Sequence, residues 1–245
     1  MDGQAERYAR DVAGVVAKVL GRAVAGTYLH GSAVLGGFDA RRSDVDILAV
    51  SGAALSGAQQ AAIAAAVSEE QLPGPARGLE LSVVTAQAAR RPAARPAFEL
   101  HVTTGPDPKV VDGHGHPGDP DLVLHFAVCR AAGRLLGPGR PAIQVLGEVP
   151  DELVLDQLAA ELRWAAEASP DEYAVLNACR AARFAGGGGL VSKIAGGEWA
   201  LGRAAGPDRE LIAAALARQR CEPAAELEAA AVRRFAAARL AALCR

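Results

Sequence analysis

The most informative part of this sequence is Leu29-His30-Gly31-Ser32, followed eleven residues later by Ser43-Asp44-Val45-Asp46-Ile47-Leu48. The first stretch sets a Gly-Ser turn directly after an apolar, strand-like run. The second sets two carboxylates at the entry to another apolar run. Because side chains at i and i+2 of a strand face the same side, Asp44 and Asp46 can point together. The pattern predicts two strands and a tight turn within an N-terminal domain that contains a sheet.

The residue types in these stretches indicate phosphate and metal binding. Two carboxylates this close resist joint ionisation unless a cation lies between them, and Mg²⁺ prefers such oxygen ligands. Gly31 permits close approach of the backbone, while Ser32 offers a hydroxyl and an amide to phosphate oxygens. Ser43, beside the acidic strand, can do the same. The alternative is an ordinary turn and a solvated strand entry, but the joint occurrence favours nucleotidyl transfer.

Composition narrows the class of function. The 245 residues suffice for one large or two modest domains, and 51% hydrophobic with 22% charged residues is typical of a globular protein. A formal charge of −2 and an aromatic content of 4% argue against a nucleic-acid partner. We expect a reducing cytoplasm and no membrane partner, because the sequence has neither a leader nor a membrane-length apolar run. The cysteines also lack metal-ligand spacing; they are Cys129, Cys179, Cys221 and Cys244.

Periodicity and turn residues predict the order of elements. Before Pro150 we expect a helix ending at Gly21, strands over Val24–Leu29, Val45–Val50, Leu79–Val84 and Phe98–Val102, helices over Ala54–Glu70 and Leu122–Leu136, and an exposed loop over 103–120. After Pro150 every long segment is helical in pattern. We expect the last two helices to begin at Pro207 and near Pro223, and Gly186–Gly189 to form a flexible joint.

A family resemblance rests on the opening motifs. Gly31-Ser32 followed by Asp44-x-Asp46 resembles the signature of the polymerase-β-like nucleotidyltransferases. Over nearly its whole length the chain is similar to bacterial aminoglycoside adenylyltransferases of the streptomycin/spectinomycin type. The matching segments are His30–Gly37, Leu79–Val84 and Ser192-Lys193 with the following Glu198–Leu201. The resemblance implies an α+β chain, with a nucleotidyltransferase domain (mixed sheet with helices) at 1–149 and an all-helical domain at 150–245 that closes on substrate and nucleotide.

The same resemblance implies roles for three acids. Asp44, Asp46 and Glu80 would hold Mg²⁺, with two ions expected. Glu80 would also act as the general base that deprotonates the acceptor hydroxyl. The residues themselves agree, since a lone acid in an apolar strand is a candidate general base. The alternative is that Glu80 is an exposed residue of an edge strand.

For the co-substrate ATP, the resemblance implies contacts from both domains. In the first domain these contacts come from Gly31, Ser32, Ser43, Asp44 and Asp121. In the second, Lys193 and Arg180 would offset the charge of the departing pyrophosphate. Arg180 can equally be a surface residue of an arginine-rich chain, and Asp121 can be a plain helix N-cap.

On the acceptor side, residues 151–172 are rich in acids. An acidic face would attract a polycationic aminosugar, and we expect Trp164, Asp171 and Glu172 to contact it. Acids at helix starts also complement the macrodipole, and Trp164 fits an apolar core stripe as well. The chain departs from the family in two aromatics: the one that packs on streptomycin falls near Gly105, and no tyrosine follows Tyr173 to cover adenine.

Together the resemblance implies Mg²⁺-dependent transfer of AMP from ATP to a hydroxyl of an aminoglycoside-like antibiotic, with release of pyrophosphate. We expect a monomer that acts on this small molecule. Two alternatives stay open: a transferase of the same superfamily that adenylylates a partner toxin, and a nucleotide sensor that has lost the chemistry.

Overall fold

The structure, a computed structural model, describes residues 3–169 and 171–243. The chain divides into two compact units, residues 1–150 and 151–245. Cys244 lies outside the described residues. Within them, no helix is both long enough and apolar enough to cross a membrane.

The N-terminal unit contains a six-stranded mixed sheet. Its elements are α1 (Gly3–Leu20), β1 (Val24–Leu29), α2 (Ser32–Leu35), β2 (Val45–Ser51), α3 (Gly57–Ala66), β3 (Leu79–Thr85), α4 (Ala86–Arg90), β4 (Leu100–Thr103), β5 (Lys109–Asp112), α5 (Leu122–Ala132), β6 (Arg134–Leu135) and α6 (Ala142–Val145). The strand order is β5-β4-β3-β2-β1-β6. Strands β2 and β3 pair in parallel, whereas the other neighbours pair antiparallel.

One face of the sheet forms the main core of this unit. Val45 and Ile47 of β2, with Leu79 and Leu81 of β3, are buried in a cluster that includes residues of α1 and α3. Burying each such side chain contributes about 1.5–3 kcal/mol. Because strand side chains alternate between faces, the intervening residues of β2 and β3 point to the opposite face. This alternation leaves Asp46 of β2, and Glu80 and Ser82 of β3, on the face opposite the main core.

The C-terminal unit is entirely helical over its described residues. Its elements are α7 (Asp151–Ala168), α8 (Glu172–Ala185), α9 (Lys193–Leu201), α10 (Gly206–Gln219) and α11 (Ala229–Leu243). Leu176 and Leu216 are buried in its core. A β-carbon at Gly197 would crowd both leucines, so glycine lets α9 pack closely. With the mixed sheet of the first unit, these helices confirm the α+β fold class.

Several predicted boundaries in the first unit are wrong. The predicted helix over 54–70 is shorter: α3 begins after a Ser56 capping box and ends at Ala66. The segment 103–120 is not all loop, because Lys109–Asp112 pairs with β4 as an edge strand. A short strand among glycines and prolines has too few residues to show an alternating pattern. The predicted strand over 98–102 lies instead over Leu100–Thr103.

Two further helix boundaries differ from the prediction. Helix α5 ends at Ala132 rather than Leu136, since Arg134 and Leu135 leave the helix to pair with β1. The last helix begins at Ala229 rather than near Pro223. The short helices α4 and α6 were not predicted. These elements depend on contacts with distant strands or consist of a single turn, and neither leaves a long periodic pattern.

Candidate active site

Asp46 and Glu80 are direct partners across the parallel strands β2 and β3. Neighbouring strands lie about 4.8 Å apart, so these acids occupy adjacent positions on the face opposite the main core. Strand β3 lies inside the sheet, between β2 and β4. The alternative interpretation of Glu80 as an edge-strand residue is therefore wrong.

The turn after β1 lies against the carboxylate of Asp46. His30 N–H donates to the Asp46 backbone carbonyl at 3.0 Å, which continues the pairing of β1 with β2. Gly31 follows with φ of +60°, and a β-carbon there would overlap the Asp46 carboxylate. The next residue, Ser32, begins α2. Only glycine lets the backbone pass this close to the acid.

The segment before β2 is fixed by its own side chains. Ser43 Oγ accepts a hydrogen bond from Asp39 N–H at 3.2 Å, and Ser43 N–H donates to the Asp39 carbonyl. Hydrogen bonds from Arg41 lower the pKa of Asp39 to about 2. Asp44 Oδ2 lies 3.9 Å from Arg77 Nη1. Ser43 therefore has a structural role in this turn, next to the acid that was predicted to bind metal.

A cavity of about 290 Å³ opens beside these acids. Its lining includes Asp44, Arg77, Glu80, His101, Thr103 and Lys109. Carboxylate, hydroxyl and imidazole groups thus share one concave surface with two cations. Such a mixture can hold a polar ligand that carries both hydroxyl and charged groups.

Three histidines near Asp46 and Glu80 were not predicted to be functional residues. His125 of α5 places Nε2 3.4 Å from Glu80 Oε1. The rings of His30 and His125 lie 4.6 Å apart, and Ser82 Oγ lies 2.9 Å from His101 Nδ1. Burial lowers the pKa values of His30 and His101. The feature of the sequence that could have indicated His125 is a single imidazole in a mostly apolar helix.

The acids offer the oxygen donors that Mg²⁺ prefers, and Asp46 and Glu80 stand side by side. Among residues 3–169 and 171–243, however, no three His, Cys, Asp or Glu side chains converge closely enough to hold a metal ion. Glu80 is turned towards His125, and Asp44 lies beside Arg77. The donor chemistry fits the ion, and the metal assignment stays a prediction.

The residues predicted to contact nucleotide from the helical unit have local partners. Lys193 begins α9, and its Nζ lies 4.4 Å from the centre of the Tyr173 ring. Arg180 Nη2 donates to Glu161 Oε2 at 2.9 Å. The guanidinium and carboxylate are both mostly buried, so the alternative of Arg180 as a plain surface residue is wrong.

At the start of α5, the residue predicted as a plain N-cap does not cap the helix with its side chain. Asp121 occupies the N-cap position but makes no capping hydrogen bond with its side chain. The carboxylate of Asp119 accepts from Asp121 N–H at 3.0 Å instead. Asp119 therefore shapes the start of α5, and the nucleotide role of Asp121 stays a prediction.

The residues predicted to contact the acceptor have different environments. Trp164 is 59% exposed and meets Tyr173 edge-on, so its interpretation as a core residue is wrong. Asp171 caps α8 by accepting from Tyr173 N–H at 2.8 Å. Glu172 is buried and accepts from Arg218 Nε at 3.0 Å, so it is not part of an open acidic face.

Comparison with known proteins bears on both units. Residues 144–242 match the family described as "Aminoglycoside adenylyltransferase, C-terminal domain". No curated protein sequence is significantly similar to the chain. The fold is similar to that of spectinomycin adenyltransferase AAD(9) from Enterococcus faecialis, solved with ATP and spectinomycin. The two sequences are 16% identical, the TM-score is 0.74, and the match covers 98% of this chain and 99% of that one. Residues 144–242 are therefore similar to the C-terminal domain of aminoglycoside adenylyltransferases, and the chain as a whole shares the fold of a spectinomycin adenyltransferase.

Proposed function

We propose that the chain transfers AMP from ATP to a hydroxyl group of an aminoglycoside-like antibiotic and releases pyrophosphate. The observation that carries the proposal is the pairing of Asp46 with Glu80, with the Gly31 turn against the first acid. Two carboxylates beside a backbone turn suit a reaction that brings a polyphosphate to a hydroxyl nucleophile. The family match and the ATP and spectinomycin bound by the similar adenyltransferase support this choice of reactants.

In this proposal Glu80 is the general base. Its carboxylate accepts the proton of the acceptor hydroxyl while the oxygen attacks the α-phosphorus of ATP. The bond from that phosphorus to the bridging oxygen breaks, and pyrophosphate leaves with the electron pair. Glu80 suits this role because its side chain is 29% exposed beside the cavity, so an acceptor can reach it.

Asp44, Asp46 and Glu80 are the residues that would hold Mg²⁺. When bound there, the ion would offset the negative charge of the triphosphate. The turn residues Gly31 and Ser32 would present backbone amides and a hydroxyl to phosphate oxygens. This division gives Asp46 an electrostatic role and keeps Glu80 as the proton acceptor.

The helical unit supplies two further proposed nucleotide ligands, Lys193 and Arg180. Lys193 lies in the first turn of α9, where Ser192 Oγ accepts from Ala195 N–H at 3.2 Å. A helix N-terminus favours anions, and a lysine there adds a full positive charge. Trp164, 59% exposed, offers a face on which a sugar ring can stack.

The direct test is a screen of aminoglycosides, with spectinomycin and streptomycin among them, for release of pyrophosphate in the presence of Mg²⁺ and ATP. We expect release with at least one acceptor, and an increase in the acceptor's mass equal to one adenylyl group. Label from ATP on a polypeptide would instead support the protein-modifying alternative. ATP binding without pyrophosphate release for any acceptor would contradict transfer and favour a nucleotide sensor.

A further inference from the structure

The ring of His125 lies against the carboxylate of Glu80. Nε2 is 3.4 Å from Oε1, and the His125 side chain is only 16% exposed. This distance is slightly longer than an ideal N–H···O bond, and a small rotation of either side chain closes it. Hydrogen bonds of catalytic groups are commonly long before the substrate binds.

The other nitrogen of the His125 ring makes no competing hydrogen bond. This atom, Nδ1, is buried and has no hydrogen-bond partner among the residues that the structure describes. The neighbouring ring, 4.6 Å away, belongs to His30, which is 2% exposed. Burial and the nearby His125 hold the pKa of His30 well below its ordinary value, so the neighbour is uncharged. Within the described part of the chain, the contact with Glu80 is therefore the polar contact made by the His125 side chain.

The second histidine near Glu80 is engaged elsewhere. His101 Nδ1 lies 2.9 Å from Ser82 Oγ, on the strand that also carries Glu80. His101 lines the cavity beside Glu80, whereas His125 approaches the carboxylate from α5. The two imidazoles thus have separate partners, and orientation of the carboxylate falls to His125.

We propose that His125 is a positioning residue, which donates its Nε2 proton to Glu80 Oε1 and so holds the carboxylate with Oε2 available to the acceptor hydroxyl. The imidazole can donate from Nε2 only when that nitrogen carries a proton, and this role requires that it does. The inference rests on the proposed function, in which Glu80 is the general base. It adds a fixed orientation of that base, set by a residue of another element.

A matched pair of amide variants tests this role. His125→Gln places its amide nitrogen near the former position of Nε2, whereas the amide of His125→Asn ends near that of Nδ1 and falls short of Glu80. Both variants are neutral, and both remove the ring. We expect His125→Asn to lower kcat by about 10- to 100-fold, because misplacement of a catalytic group by about 1 Å has effects of this size. KM for ATP should change little, and His125→Gln should recover most of kcat.

Thermal unfolding of both variants accompanies the kinetics, and His114→Gln serves as the control for a histidine in an exposed loop. Equal kcat values for the Gln and Asn variants, at matched thermal stability, would overturn the positioning role while leaving the transferase function intact. A parallel loss of kcat and rise of KM in both would overturn it as well, because that result indicates general disruption. A wild-type chain inactive with every acceptor, in contrast, would overturn both proposals.

Discussion

Gly31 and Asp46 are packed so closely that no other residue fits at position 31 without moving the carboxylate. The glycine has φ of +60° and ψ of −143°, a conformation that side chains disfavour. The turn and the acid on β2 therefore form one unit, in which the shape of the backbone determines where the carboxylate can lie.

Gly31→Ala should destabilise the chain and weaken ATP binding, because the new methyl group must displace Asp46. Backbone strain of this kind costs about 1–3 kcal/mol, measurable by urea unfolding. Gly21→Ala is the matched control, since Gly21 has φ of +57° but open space around a β-carbon. Backbone strain should destabilise both variants, but the loss should be larger in Gly31→Ala because its methyl group also displaces Asp46, and KM for ATP should increase only in Gly31→Ala. An unchanged KM in Gly31→Ala would contradict the role of the turn.

Glu80→Gln should leave ATP binding largely intact and lower turnover by about 10²- to 10⁴-fold, the usual contribution of a general base. The amide keeps the size of the side chain but cannot accept the proton from the acceptor hydroxyl. Binding of ATP by calorimetry and the rate of pyrophosphate release separate the two effects. Turnover equal to that of the wild type would refute the assignment of the base.

Breaking the ion pair of Arg180 and Glu161 should destabilise the helical unit. Their side chains are 17% and 19% exposed, so Glu161→Gln leaves a mostly buried guanidinium without its charged partner. We expect a loss of about 2–4 kcal/mol in the free energy of unfolding. The exposed pair of Arg220 and Glu198 is the control, and Glu198→Gln should cost less than about 1 kcal/mol. Equal costs for the two variants would show that burial of the first pair has no effect.

The free energy of unfolding should fall at alkaline pH, and two tyrosines should contribute to this fall. Burial raises the pKa of Tyr8 and of Tyr28 to about 12 from an ordinary value of 10.0. Between these values the unfolded chain ionises and the folded chain does not, so unfolding becomes more favourable as pH rises from about 10 to 12. Below pH 10 both states are protonated, and the contribution of the tyrosines is fully present.

The two tyrosines should differ at neutral pH. Tyr28 donates to the Arg140 carbonyl at 2.7 Å, so Tyr28→Phe should cost about 1 kcal/mol. The Tyr8 hydroxyl is buried without a hydrogen-bond partner within the described part of the chain, so Tyr8→Phe should be neutral or stabilising. Both variants should show a shallower decline in unfolding free energy above pH 10. A decline as steep as that of the wild type would exclude the tyrosines as its source.

The elements that could be predicted from sequence are those with a long repeating pattern. An apolar run defines β2, alternating apolar residues define β3, and helical spacing defines α1 and α7. The elements that were missed altogether, α4, β5, β6 and α6, are short. Leu135 belongs to a strand only because Tyr28 lies opposite it, and such long-range pairing cannot be inferred from the local sequence.

The candidate site likewise contains residues that a local pattern identifies and contacts that depend on distant elements. The i and i+2 acids and the lone acid in β3 marked Asp46 and Glu80 as candidates, and the register of the sheet makes them neighbours. The approach of His125 depends on where α5 packs, and no local pattern reveals it. The partners of Glu172 and the exposure of Trp164 also depend on packing of distant helices.

The pairing of β2 with β3 has a consequence for how catalytic competence arises during synthesis or refolding. Hairpins can form from nearby residues, but parallel strands require a crossover, which here spans the segment between Ser51 and Leu79. Closing so long a loop is slow compared with forming local contacts. After dilution from denaturant, enzymatic turnover should therefore recover only when the crossover has formed. This recovery should be later than that of the helical circular dichroism.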